Sequence, residues 1–201
     1  MLTTYYLVDY SPLMEMKDQI LNSAQKLVQQ RGFNGFSYAD IAEEVGIRKA
    51  SLHHHFATKT DLGLALIESY STLLGNELNR IGSLPVQADD KLRAYISIYR
   101  DTLDADRMCM GGMLATEALT LDAVMLPGLQ HFFAINTDWL TELLIEGKSQ
   151  QIFSLSSSAA NHARLLVSTL QGALMIARAT GNLDAFNQTT SLLISNLTRK
   201  G

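Results

Sequence analysis

The run SYADIAEEVGIRKASLHHHFATKTDL, residues 37–62, constrains the chain most, because it leaves room for little but short helices joined by tight turns. Ser37 with Asp40 three residues on reads as a capping box, a hydroxyl taking the first free amides and a carboxylate at the positive helix end. Ile41, Ala42 and Val45 form the apolar stripe of that helix, and Gly46 supplies the permissive backbone that a tight turn needs before Ile47. In the next helix Leu52 and Phe56 share one face at about 100° per residue, whereas Ala50, Ser51, His53 and His54 point the other way. The apolar pair anchors and the other four are presented. Thr58 and Asp61 repeat the cap and open a further helix whose first turn carries Lys59. The pattern is a helix-turn-helix.

Charge is distributed in keeping with that reading. The chain as a whole carries −4, but between Gly46 and Thr60 the charged residues are Arg48, Lys49 and Lys59, with no acid and with three histidines alongside. A local basic surface on an acidic body is enough to steer a helix onto phosphate. Successive side chains on a helix diverge by about 100°, so His53, His54 and His55 do not converge on one ion and no metal is expected. They read either as a solvated polar face or as contacts to phosphates and base edges.

The segments ADIAEEVGI, SLHHHF and TKTDL resemble the tetracycline-repressor (TetR) family of bacterial one-component regulators, and the likeness covers roughly residues 17–65. The resemblance implies an N-terminal helix-turn-helix DNA-binding domain followed by a divergent helical domain for ligand and dimer. It places Ser37, Tyr38, Ala39, Lys49, Ala50, Ser51, His53, His54, His55 and Lys59 where the family meets bases or flanking phosphates. Among these, Lys49 has the reach for a guanine edge, Lys59 at a helix start suits a phosphate, and His53 and His54 gain contacts when protonated. Three positions depart from the family pattern. Arg48 stands where a Ser or Thr cap is usual, a loss worth about 1 kcal/mol. Ala50 and His53 stand where Gly and Tyr are common, which bears on DNA preference more than on fold.

Hydrophobic periodicity elsewhere is helical throughout, so the expected class is all-α. Helices are expected over residues 16–30, 61–82, 89–103, a short Met-rich CMGGMLATEAL piece, 129–146, a helix capped by SLSSSAAN that runs to Gly181, and 183–199. Leu126, Pro127 and Gly128 read as an interruption. Three parts follow: an arm at 1–13, a DNA-binding domain at 14–61 and a ligand-binding and dimerisation domain at 62–201. The arm, MLTTYYLVDYSPL, lacks the Lys or Arg of a secretory signal. One cysteine in 201 residues excludes an internal disulfide framework and suits a reducing cytoplasm. No stretch reaches the ~18 apolar residues of a membrane helix, so no membrane partner is expected.

Met108, Met113, Phe132, Phe133, Trp139 and Met175 supply a soft and aromatic lining for an apolar or aromatic molecule, and the same residues also read as plain core. Glu117 and Cys109 join that set. Cys109, beside Arg107, reads either as a sensor thiol or as an inert buried one. Leu166, Leu170 and Leu174 on one late helix, with Phe186, Leu193 and Leu197 on the last, read either as a four-helix dimer interface or as internal core. The resemblance implies an effector among the middle helices that shifts the connecting helix and moves two recognition helices off a half-site spacing of about 34–36 Å. The expected partners are therefore double-stranded operator DNA, a small-molecule effector and a second copy. There is no Gly-rich phosphate loop, no HExxH and no nucleophile elbow, so neither catalytic residues nor a cofactor are expected. The other reading is a helical ligand-binding dimer without DNA binding.

Overall fold

The computed structural model describes residues 15–198, so the arm at 1–13 and the chain end at 199–201 lie outside the described residues. Among those described are nine α-helices, a 3-10 turn at Ala123–Met125 and no strand, which is the expected all-α class. In chain order they are α1 (Met16–Arg31), α2 (Tyr38–Val45), α3 (Lys49–His55), α4 (Lys59–Gly82), α5 (Ala88–Asp104), α6 (Met110–Thr116), α7 (Leu126–Ser149), α8 (Ala159–Thr180) and α9 (Leu183–Thr198). None of these helices is long and apolar enough to cross a membrane.

Leu126, Pro127 and Gly128 do not interrupt the helix as expected; they form the first turn of α7. Proline is tolerated there because a first-turn amide has no helical acceptor to lose. Gly128 is needed for proximity, since a Cβ at that position would sit 3.0 Å from Cγ2 of Ile67 on α4.

The chain divides into two compact units, but not at residue 61. The first unit takes the chain up to Ser71 and also Cys109–His131, and the second takes Thr72–Met108 and everything from Phe132 on. The unit holding the helix-turn-helix is therefore discontinuous, and α6 belongs to it. Ile20, Ala24, Leu27 and Val28 form the buried stripe of α1, which packs on both α2 and α6. At its end Gly32, with φ +82°, turns the chain back. Into this turn reaches Glu117, just beyond α6, whose carboxylate accepts the Phe33 amide at 2.6 Å and the Asn34 amide at 3.2 Å. Asn34 Nδ2 donates to Thr120 Oγ1 at 2.9 Å, and Thr60 Oγ1 donates to Asp122 at 3.3 Å. These contacts tie Cys109–His131 to the first unit: a segment distant in sequence supplies acceptors that the turn after α1 lacks.

In the second unit, α8 and α9 pack along their length and α5 packs on both. Leu166, Leu170, Leu174, Phe186 and Leu197 are all buried within the one chain. This is the internal-core reading of those residues: the helix pair turns its fullest apolar stripes inward, leaving Leu165, Ile176 and Leu192 more than half exposed. Leu193 is half-buried. Beneath α5 lies a buried polar chain. Asn136 donates to the Phe132 carbonyl at 2.8 Å and accepts from the Tyr95 hydroxyl at 2.8 Å. That uses the Tyr95 proton, so in the 3.0 Å contact between the two phenols Tyr99 is the donor. Trp139 stacks on Tyr95 with centroids 5.5 Å apart.

The clasp at Glu117 can be tested by stability. A hydrogen bond to a charged acceptor contributes about 1.5–3 kcal/mol when shielded and less when wet, so Glu117→Ala should destabilise the first unit by about 1–3 kcal/mol. Glu117→Gln, with one acceptor oxygen, should fall between. Denaturant unfolding of the three proteins reads this directly, and equal midpoints would show that the turn needs no carboxylate.

Candidate nucleic-acid interface

α2 opens with the capping box expected from Ser37 and Asp40. The Ser37 amide and hydroxyl each donate to Asp40 Oδ2 at 2.7 Å, and the Ser37 oxygen accepts the Ala39 amide at 3.2 Å. The Ser37 hydroxyl and amide, with the Arg31 guanidinium, hold the Asp40 carboxyl below the usual range. Gly46 closes α2 in the left-handed region, at φ +76° and ψ +31°, and the amides of both Gly46 and Ile47 return to the Ala42 carbonyl at 3.0 Å. α3 then starts at Lys49 without a side-chain cap, in keeping with Arg48 in the cap position. Thr58 and Asp61 exchange amide bonds at 2.9 and 3.1 Å and so open α4 at Lys59.

Leu52 and Phe56 are buried, with Ile41 and Ala42. Lys49, Ala50, His53, His54 and His55 are exposed and Ser51 is half-buried, so these six expected contact residues all retain access to solvent. Ala39 is exposed, as is Ser37, whose hydroxyl is committed to the cap. Arg48 is also exposed beside Lys49. It belongs with the face, and its charge was the signal that pointed to it. No group of three or more His, Cys, Asp and Glu among the described residues is placed to hold a metal.

Two expected DNA contacts have other partners. Tyr38 is buried, and its hydroxyl lies 3.0 Å from the Phe56 carbonyl and 2.6 Å from that of Thr58, so one proton is shared between them. Burial, and then the nearby Asp61 carboxylate, push this phenol up to about 12. It is a strut between the start of α2 and the end of α3. Lys59 Nζ donates to the Phe36 carbonyl at 2.5 Å and lies 4.3 Å from the Phe36 ring centroid and 5.0 Å from that of Phe33. Burial holds this ammonium below the usual lysine range, although Glu117 and Asp40 oppose the shift. A cation so engaged braces the turn before α2. Neither role was visible from spacing alone, because both acceptors are main-chain carbonyls.

The residues expected around an effector divide between the units: Cys109, Met113 and Glu117 in the first, and Met108, Phe132, Phe133, Trp139 and Met175 in the second. Glu117 is occupied by the two amides. Cys109 is buried, the setting of the inert reading. Met175 is exposed, whereas Met108 and Phe132 are core. Trp139 lines a cleft of about 380 Å³ with Gly82, Lys91, Glu142 and Glu146. A second cleft, about 340 Å³, is lined by His162, Leu165, Leu166, Leu193 and Leu197.

Tyr38→Phe separates strut from contact. It leaves the buried Phe56 carbonyl without this donor and should lower stability by about 1–3 kcal/mol. If thermal unfolding is unchanged while DNA affinity falls, the hydroxyl is a DNA contact after all.

Comparison with known proteins agrees with this geometry. The pattern of the bacterial regulatory proteins of the tetR family matches residues 20–66. A transcriptional regulator of the TetR family from Agrobacterium tumefaciens, known as a crystal structure, is 33% identical, with a TM-score of 0.87 over 91% of this chain and 97% of that one. An uncharacterized HTH-type transcriptional regulator of Lactococcus lactis subsp. lactis is 24% identical over 94% of this chain and 96% of its own. The negative regulator IcaR of the biofilm operon icaADBC in Staphylococcus aureus (strain Newman) is 43% identical over 47 residues, 23% of this chain and 25% of its own. With a capped α2, a left-handed glycine turn and an α3 pinned by Leu52 and Phe56, this chain belongs to the TetR family of transcriptional regulators, and residues 38–55 form its DNA-binding helix-turn-helix.

Proposed function

We propose that the chain is a repressor that binds a palindromic operator as a homodimer, with α3 of each subunit in the major groove, and leaves it when a small apolar or aromatic molecule binds. The observation that carries the DNA half is the α3 face: Arg48, Lys49, Ala50 and His53 to His55 are exposed, with no acid among them, over a buried Leu52 and Phe56. Its footing is rigid enough for phosphate contacts to position it and base contacts to specify. Repression is supported by the likeness of the helix-turn-helix to a negative regulator.

The dimer is supported by the exposed Leu165 and Ile176 of α8 and Leu192 of α9, apolar side chains left over after the internal packing is complete. A two-fold pairing of such helices matches a palindromic site. The effector reading rests on the aromatic content of the second unit, with Trp139 stacked on Tyr95 and a cleft beside it. Release requires the effector to bind the non-binding conformation more tightly, since only differential affinity shifts an equilibrium.

A mobility shift on the DNA flanking its own gene is the direct test, and a protein that shifts no such fragment would be the ligand-binding dimer without DNA binding. On a shifted operator, Lys49→Ala should cost about 1–3 kcal/mol, and much less on random duplex. Lys59→Ala should act through stability and leave the salt slope of binding unchanged, since its ammonium is bound to Phe36. A slope shallower by about one would instead return Lys59 to the phosphate. For the dimer, Ile176→Glu with Leu192→Glu should give a folded monomer by light scattering; a folded dimer would mean that another surface pairs.

A further inference from the structure

The three histidines of α3 are chemically distinguishable. His53 Nδ1 lies 3.2 Å from the Ala57 carbonyl, and its ring rests 4.8 Å from that of Tyr38. A carbonyl only accepts, so Nδ1 carries the proton of the neutral ring and Nε2 has the lone pair. On protonation Nδ1 keeps its bond and Nε2 gains a proton. The ring therefore changes from acceptor to donor at one fixed atom, without turning.

We propose that His53 is a proton-dependent specificity residue, whose Nε2 accepts a hydrogen bond from a base amino group when neutral and donates one to a DNA oxygen or to guanine N7 when protonated. The inference rests on the reading of α3 as the DNA-facing helix and adds to it how one residue chooses its partner. The acids nearest His53 are mostly engaged elsewhere, and the one fixed charge beside it on α3 is a cation. Tyr38, from α2, is a buried phenol whose proton is held by two carbonyls. Asp61, from α4, takes the Thr58 amide. Of the acids on α2, Asp40 is bound by Ser37, Glu44 is bound by Ser23 and Lys26, and Glu43 is exposed. On α3 itself the neighbours are Lys49 one turn earlier, His54 and His55, with no acid.

The sign follows from linkage. If the protonated ring meets an acceptor, the complex holds the proton to higher pH than the free protein does. Binding then takes up a proton, so the added affinity is present at low pH and is lost as pH rises. A charged donor on a DNA acceptor should tighten binding about tenfold between about pH 8 and about pH 5.5.

The probe is a duplex enriched from a random library by the protein itself, selected separately at about pH 8 and about pH 5.5, with affinities measured by anisotropy at fixed ionic strength. The wild type should tighten as stated, and His53→Gln and His53→Asn, both at an exposed position, should flatten the profile while His54→Gln and His55→Gln keep it. Two arms locate the acceptor. A gain confined to duplexes that acquire a guanine at one position per half-site assigns it to a base edge, whereas an equal gain on random duplex with a salt slope steeper by about one assigns it to a phosphate. The proposal is overturned if the wild type shows no pH dependence, or if that dependence survives in His53→Gln or follows His54 or His55. Failure of the underlying reading looks different: at about pH 8 alone, no duplex would be enriched and Lys49→Ala would change nothing, which removes this proposal with it.

Discussion

A seven-residue helix has too few internal hydrogen bonds to stand alone in water, so the position of α3 depends on what holds it from below. Leu52 and Phe56 are buried one turn apart, and the Tyr38 hydroxyl, sent back from the first residue of α2, binds the carbonyls of Phe56 and Thr58 where α3 ends and α4 is about to begin. That one phenol ties three helices at their junction. The exposed face of α3 owes its placement to this knot and can vary in sequence while the knot stays.

The knot is itself steadied from a distant part of the chain. The turn between α1 and α2 has free amides at Phe33 and Asn34, and Glu117 supplies their acceptor. Gly32 makes the approach possible, since a Cβ there would stand 2.8 Å from Glu117 Oε1 and the backbone is already at positive φ. Lys59 closes the same region from the other side through the Phe36 carbonyl. The acid and the lysine lie in one small electrostatic neighbourhood, with burial disfavouring the ammonium and Glu117 favouring it.

What was legible in the chain was what is local. Ser37 and Asp40, Gly46, Thr58 and Asp61, and Gly181 each act on amides or dihedrals within a few residues, and each sits where its chemistry indicates. The roles that were not legible depend on direction in three dimensions. Tyr38 and Lys59 are amphipathic side chains, and whether the polar tip goes to DNA or to a carbonyl is decided by neighbours far along the chain. The stripes of α8 and α9 carry the same ambiguity: an apolar row faces whichever surface is nearer, and here Leu170 and Leu174 find the chain's own core before any second copy can. Pro127 misled for a simpler reason, since it breaks a helix interior but suits a helix start.

Arg48 shows how these pieces weigh against each other. A Ser, Thr or Asp in its place would add about 1 kcal/mol by capping α3, and an Asp would also put a negative charge beside Lys49. The chain forgoes the cap, and the seven-residue helix survives because buried Leu52 and Phe56, each worth about 1.5–3 kcal/mol, outweigh it. With stability supplied from beneath, the upper face is free to be selected for charge and hydrogen bonding alone. On a body with net charge −4, that freedom is what permits a stretch from Gly46 to Thr60 with three fixed cations and no acid. The bulk negative charge keeps nonspecific attraction to phosphate low while the cations gather on one local face, so a structural underside carries the stability and leaves the upper side to charge.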